Sequence, residues 1–257
     1  MSRNIPIAER REEGGLWETV KVIVEALAIA LVIRTLLFQP FNIPSGSMIP
    51  TLLIGDYVFV SKYSYGYSKH SMPFSPDLFS GRILNSVPKR GDVIVFKLPS
   101  DTEKDYIKRL IGMPGDRIQM IDGRLYVNSV IVPREPIQKV RAKNRFGRDE
   151  EVATYKETLP GGVAHTIIEV NGDDGPADNT ELFVVPQDHY FMMGDNRDNS
   201  SDSRLAPELG GVGFAPFENL VGRAEIVFFS VREDESALAF WRWPWSVRWD
   251  RLLQPAH

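Results

Sequence analysis

One apolar run, residues 16–41, decides what this chain can fold into. Its densest part, residues 22–38, makes about 25 Å of helix at 1.5 Å per residue. Leu16, Trp17 and Phe41 extend it toward the ~30 Å of bilayer hydrocarbon. Glu25 and Arg34 interrupt the run on opposite helix faces. Lys21 lies one turn from Glu25 and can pair with it, and Arg34 is close enough to the far end to snorkel. Ala-x-Ala triplets begin at Ala26 and Ala28, too deep in the run and with too little apolar sequence ahead of them for cleavage as a leader. An interfacial helix is the competing reading, because Glu18, Lys21 and Glu25 share a face. The stronger reading is a single transmembrane anchor over residues 16–41. A polar segment, residues 1–15, precedes it with Arg3, Arg10 and Arg11, and the next lysine after Arg34 is Lys62. By the positive-inside rule the N-terminus stays cytoplasmic and the remaining chain lies across the membrane, next to the lipid bilayer.

The 257 residues are 43% hydrophobic and 25% charged, a globular composition. A net charge of −4 with no basic block argues against nucleic acid as a partner. Cysteine is absent, which removes thiol nucleophiles, disulfides and Cys-ligated zinc together. The four histidines, His70, His165, His189 and His257, show no metal-ligand spacing, so no metal and no cofactor are expected.

Beyond Leu52 the expected fold class is mainly β. Residues 56–61, 92–97, 106–111, 117–121, 124–132, 190–193 and 224–231 are short, β-branched or aromatic segments, and Asp122-Gly123 marks a hairpin turn. Residues 134–186 turn charged and rich in turn-formers, which predicts a smaller β-rich insertion between a first part, 42–133, and a second part, 187–257. The last part ends in a tail where Trp241, Trp243, Trp245 and Trp249 alternate with arginines, suited either to packing on the β domain or to the membrane interface.

Chemistry concentrates in Pro44-Ser45-Gly46-Ser47-Met48-Ile49-Pro50-Thr51-Leu52. Two serines, a glycine and two prolines fix a turn that leaves a hydroxyl beside free backbone N–H groups, as a serine nucleophile needs. Ser47 follows Phe38 by nine residues, so at most ~30 Å of extended chain separates it from the bilayer. A base must accompany it. None of the histidines has a recognisable aspartate partner, and Gly-x-Ser-x-Gly is missing. In Tyr106-Ile107-Lys108-Arg109-Leu110-Ile111, strand alternation gives each face one cation among apolar groups. Arginine stays protonated, whereas burial can strip a lysine of its charge near neutral pH. Lys108 is the candidate.

Three segments, in order behind an anchor, carry a resemblance. They are Pro44-Ser-Gly-Ser-Met-Ile-Pro-Thr-Leu52, Tyr106-Ile-Lys-Arg-Leu-Ile-Gly-Met-Pro-Gly-Asp116 and Gly194-Asp-Asn-Arg-Asp-Asn-Ser-Ser-Asp-Ser-Arg204. With Gly91-Asp92-Val93-Ile94-Val95 they resemble the boxes of bacterial type I signal peptidases. The resemblance implies a membrane-bound serine endopeptidase with a Ser/Lys dyad on an all-β catalytic domain of the inner membrane's extracytoplasmic side. It would remove signal peptides from exported preproteins after a small-x-small motif. Ser47 then matches the nucleophile, Lys108 the general base, Ser45 an oxyanion-hole hydroxyl and Ser200 the serine that orients the lysine. Asp202 and Arg204 match supporting positions. Phe41, Ile43, Val58 and Val95 would line shallow apolar pockets, completed by Met48, Leu52, Tyr106 and Ile107, with the substrate bound as an added strand. Two departures stand out: only one membrane span is visible, and the cysteine pair some relatives carry in the insertion is absent. A pilin-maturing Ser/Lys peptidase, or a catalytically silent membrane-anchored peptide-binding β module, remains open as an alternative.

Overall fold

The computed structural model describes residues 15–143 and 149–256. The arginine-bearing N-terminal segment thus lies, but for Gly15, outside the described residues, as does His257. Helix α1 (Leu16–Val32) has 17 residues and runs directly into a five-residue π-helical turn, Ile33–Leu37. Among the described residues no helix is long and apolar enough to cross a membrane. The helix nevertheless buries no residue, and Leu16, Val22, Leu27 and Ile29 each stay more than half exposed. The Lys21–Glu25 pair forms, at 3.9 Å.

The apolar run does not stay helical to Phe41. It turns extended at Phe38, because Pro40 lacks an N–H and pushes the residue before it out of helical space. Fifteen strands follow among the described residues. They are β1 (Phe38–Asn42), β2 (Asp56–Ser61), β3 (Val93–Leu98), β4 (Asp101–Gly112), β5 (Arg117–Ile121), β6 (Arg124–Val127), β7 (Val130–Ile131) and β8 (Arg134–Pro136). After them come β9 (Val140–Lys143), β10 (Asp149–Thr158), β11 (Ala164–Glu169), β12 (Phe183–Val184), β13 (His189–Met193), β14 (Phe214–Pro216) and β15 (Leu220–Ser230).

The largest sheet is antiparallel, in the order β1-β2-β15-β3-β4-β13-β14. Its strands bury Val58 and Val60 from β2, Val93 and Val95 from β3, and Ala224 and Val227 from β15, together with Ile43, Met48 and Leu52 of the serine turn. The turn is thereby bolted to the sheet by its own apolar residues. Strand β4 starts earlier than its apolar half suggests, since residues 101–105 are polar and largely exposed. Ion pairs hold that extension, Lys97–Asp105 at 3.1 Å and Lys104–Asp101 at 2.9 Å. The Asp122-Gly123 hairpin joins β5 to β6 as expected, with positive φ at both residues. Asn128 and Ser129, also at positive φ, make a second tight turn that splits the expected 124–132 strand in two.

The insertion is a four-stranded sheet in which β10 pairs with β8, β9 and β11. It is not walled off. Leu159 joins the core of Ile111, Phe191 and Met193, and Ile49 of the serine turn packs against Val152 and Ile168. Strand β12 returns to pair with β5. In the tail it is the arginines that dock: Arg251 binds Asp56 bidentately and Arg248 donates to Ser230 and to the Ile54 and Val231 carbonyls. Trp243 leans on Phe229 at 5.0 Å, while Trp241, Trp245 and Trp249 remain exposed.

Candidate active site

Gly46–Met48 form a 3₁₀ turn that begins after Ser45. The N–H of Ser47 lies in its first turn, where backbone donors have no partner within the helix. Behind the turn stands β4, whose alternation sends Lys108 toward Ser47 and Arg109 the other way. Lys108 Nζ donates to Ser47 Oγ at 2.5 Å, and the two residues are 4% and 6% exposed. Burial is the main force on the amine and pulls its pKa from 10.5 down to about 8, against the carboxylates of Asp202 and Asp195, which pull it up. Tyr106, two residues back on the same face, places its ring 5.5 Å from Nζ. The Ser45 hydroxyl lies 3.4 Å from Ser47 Oγ. A cavity of about 420 Å³ opens over the pair, walled by Pro44, Ser45, Gly46, Asp105, Tyr106, Ile107, Asn199 and Ser201.

Residues 194–204 close the site from behind. Asn196 ties the serine turn directly, its N–H to the Ser47 carbonyl at 3.1 Å and its side-chain amide to the Gly46 carbonyl at 3.0 Å. Gly194 is required by this approach, since a Cβ there would sit 2.5 Å from the Ser47 carbonyl oxygen and 2.3 Å from Ser200 Oγ. Asp202 receives the Gly194 N–H at 3.0 Å and a two-pronged contact from Arg204 at 3.0 and 2.9 Å. Burial works to raise the Asp202 pKa, and the Arg204 guanidinium overrides it and holds the carboxyl below its usual range.

A family model described as signal peptidase, peptidase S26, matches residues 16–229. The chain belongs to this family. "Signal peptidase I" of Rickettsia prowazekii (strain Madrid E) is 43% identical over 214 residues, 80% of this chain and 77% of that protein. "Signal peptidase I" of Rickettsia typhi (strain ATCC VR-144 / Wilmington) is 42% identical over the same shares. A crystal structure of a signal peptidase I from Enterococcus faecalis V583 is 25% identical and covers 54% of this chain and 97% of that one, at a TM-score of 0.30. Membership makes the protein a hydrolase, a serine peptidase of the S26 type.

Within the family's frame, the structure brings Ser47, Lys108, Ser45, Tyr106 and Ile107 to one cavity. It does not give Ser200 the hydrogen bond to Lys108 that the resemblance implies; the Ser200 hydroxyl lies against Gly194 and beside Asp202, whose carboxyl it helps hold down. Ile43, Met48, Leu52, Val58 and Val95 are almost fully buried in the core beneath the cavity, with Phe41 packed against their edge.

A second set of residues has no counterpart in the sequence reading. Arg109, dismissed as a base, binds Asp195 through two bonds of 2.8 and 2.7 Å, and both residues are 1% exposed. Thr51 donates to the same carboxylate at 2.5 Å. Arg197 is paired with Glu157 of the insertion, and His165 lies between Glu157 and Asp195, driven down to a pKa of about 4 chiefly by burial. His165 is therefore neutral at pH 7. The available signal was the Asp195 and Arg197 pair inside the third segment, since charges in so compact a box must meet partners when buried.

Proposed function

We propose that this protein removes signal peptides from exported preproteins, with Ser47 as nucleophile and the neutral amine of Lys108 as general base. The observation that carries this reading is the buried 2.5 Å contact between Nζ and Oγ, with the amine pulled down to about 8. The Ser47 proton passes to Nζ as Oγ bonds to the scissile carbonyl carbon. The Ser47 N–H and the Ser45 hydroxyl face the oxyanion that forms. Lys108 returns the proton to the departing amine, leaving an ester on Ser47, and then activates the water that hydrolyses it. Asp202 and Arg204 stiffen the loop behind the dyad, which also carries Ser200.

The cavity is edged by Tyr106 and Ile107, whose bulk beside the dyad favours alanine-sized side chains and hence a small-x-small segment. The substrate lies extended across this floor. With α1 burying no residue and exposing most of its apolar side chains outside the face of Glu18, Lys21 and Glu25, the helix and its π-helical continuation suit lipid better than water. We place the anchor in the cytoplasmic membrane of a bacterium, N-terminus cytoplasmic and β domain on the other side, with exposed Trp241, Trp245 and Trp249 available to the interface.

Purified protein is expected to cut a preprotein after Ala-x-Ala, and the Ser47→Ala variant, equally folded by circular dichroism, to lose at least ~10³-fold in kcat/KM. Retained cleavage by that variant, at the same bond, would sink the mechanism. For topology, a phosphatase reporter that matures only outside the cytoplasm, fused after Val231, is expected to be active. An inactive but expressed fusion would reverse the orientation.

A further inference from the structure

Three acidic residues meet where the insertion touches the loop behind the dyad. Glu169 ends β11, Asp178 lies in the link to β12, and Asp198 stands two residues before Ser200. One carboxylate oxygen from each falls within 4.8 Å of the other two. Their spacing in the chain matches no metal motif, so only the fold unites them.

An acidic cluster alone could be a solvated surface, but here two of the three residues are buried and Asp198 is half-buried. Glu169 and Asp178 are each 1% exposed. Neither oxygen of Glu169 has a hydrogen-bond partner among the described residues, and Oδ1 of Asp178 has none either. Buried carboxylates left so are costly unless a charge answers them. The neighbouring arginines bring charge near Glu169 but direct most of their hydrogen bonds elsewhere. Arg134 comes no nearer to Glu169 than 3.6 Å and gives its hydrogen bonds to Asp173 and the Gly123 carbonyl. Arg197 is turned to Glu157 and Arg204 to Asp202. Burial pushes the Glu169 carboxyl up to about 8.

The backbone meanwhile aims the other two carboxylates. The Gly175 N–H holds Asp178 Oδ2 at 2.6 Å and the Asn171 N–H holds Asp198 Oδ2 at 2.7 Å, leaving Oδ1 of each for another partner. A Cβ at residue 175 would lie 2.3 Å from Asp198 Oδ1, so any larger residue there displaces that carboxylate.

We propose that Glu169, Asp178 and Asp198 bind a calcium ion that ties the insertion to the loop carrying Ser200. Hard oxygen ligands at this spread suit bonds of about 2.3–2.6 Å and a flexible coordination shell, which is calcium's habit more than magnesium's. The site is structural and takes no part in the proton transfers at Ser47. Its affinity belongs with extracellular calcium modules, on the order of 10⁻⁴–10⁻³ M. A water shared with Arg197 Nε and Arg204 Nη1, which also lack partners, or a proton on Glu169, is the competing arrangement, and both predict indifference to calcium.

The test is the melting temperature of the detergent-solubilised full chain, stripped with EDTA and titrated with calcium chloride. For a Kd of about 10⁻⁴ M, 10 mM calcium should raise Tm by roughly 5–10 °C. Magnesium at the same concentration should raise it much less. Glu169→Gln, which keeps the shape and removes the charge, should melt at least as high as the wild type in EDTA and lose the calcium response. Gly175→Ala, which keeps every charge and displaces Asp198, should weaken the response at least tenfold in calcium concentration. No calcium shift in the wild type, an equal shift with magnesium, or an undiminished shift in both variants would overturn the proposal.

Discussion

Replacing Lys108 with methionine should abolish preprotein cleavage and, at pH 7, make the protein more stable. The two effects share one cause. Nζ is buried with its pKa drawn from 10.5 to about 8, so at pH 7 the folded state must hold an ammonium where an uncharged group would sit more easily. Between pH 8 and 10.5 the unfolded chain binds the proton more readily than the folded one, and stability contributed by this group rises with pH across that window. Below it the folded state carries the whole penalty, about 3 kcal/mol at 1.36 kcal/mol per pKa unit. Methionine matches the stem and removes the charge. It should recover about 1–3 kcal/mol, several degrees in Tm, while cleavage falls at least ~10³-fold. The gain should shrink to nothing as the pH is raised toward 10.5. Wild-type kcat/KM should climb about tenfold from pH 7 to pH 9, as the neutral fraction of the amine grows from about a tenth to about nine tenths. A variant that is inactive and less stable at pH 7 would mean that Lys108 is held by ion pairs and serves the fold instead of the reaction.

Ser47 and Lys108 could be proposed from the chain because each sits in a short segment with local chemistry, while the choice of Ser47 over Ser45 came from the family resemblance. A Ser/Gly/Pro turn announces a hydroxyl, and strand alternation around residue 108 offers one cation per face. The choice between Lys108 and Arg109 then needed only the fact that arginine keeps its proton. Strand positions were legible where short β-branched and aromatic or alternating segments stand between turn-formers, as in β2 and β5, whose ends agree with the expected ones. They were not legible where ion pairs replace apolar burial, as in the first half of β4. What could not be read is the long-range electrostatics. Glu157 and His165 lie in a charged, turn-rich stretch that resembles a solvated surface, yet they are buried beside Asp195 and Arg197. Pairing between residues so far apart in the chain leaves no periodic mark in either segment. The end of the apolar run was misleading too, since Phe38 and Phe41 are as apolar as the helix before them, and it is Pro40 and the pairing with β2 that turn them into a strand.

Breaking the Arg109–Asp195 pair should be the most damaging change to stability outside the apolar core. Both side chains are 1% exposed and joined by two bonds, so Arg109→Met leaves a buried carboxylate with Thr51 and a neutral His165 for company. Loss of one partner of a buried pair costs about 3–5 kcal/mol, or roughly 10 °C in a chain of this size. The stranded charge, more than the missing bonds, sets that figure. Arg109→Met combined with Asp195→Leu should therefore be milder than Arg109→Met alone, although it removes more hydrogen bonds. Arg109→Lys should not rescue fully, because one ammonium cannot span both carboxylate oxygens and also reach the Gly91 carbonyl, which Arg109 contacts at 2.7 Å. Urea denaturation of these three variants together with Asp195→Leu measures all of this in one series. Additive losses in the double variant would show that the pair's two charges do not answer each other. Non-additivity of 2 kcal/mol or more, roughly, would show that they do. Activity should follow stability only in part. Asp195 and Asn196 are adjacent, and Asn196 holds the Ser47 carbonyl at 3.1 Å, so a double variant restored in Tm is still expected to cleave more slowly. Its defect should lie in kcat more than in KM, because the loop it loosens positions the nucleophile and forms no wall of the substrate cavity at residue 195.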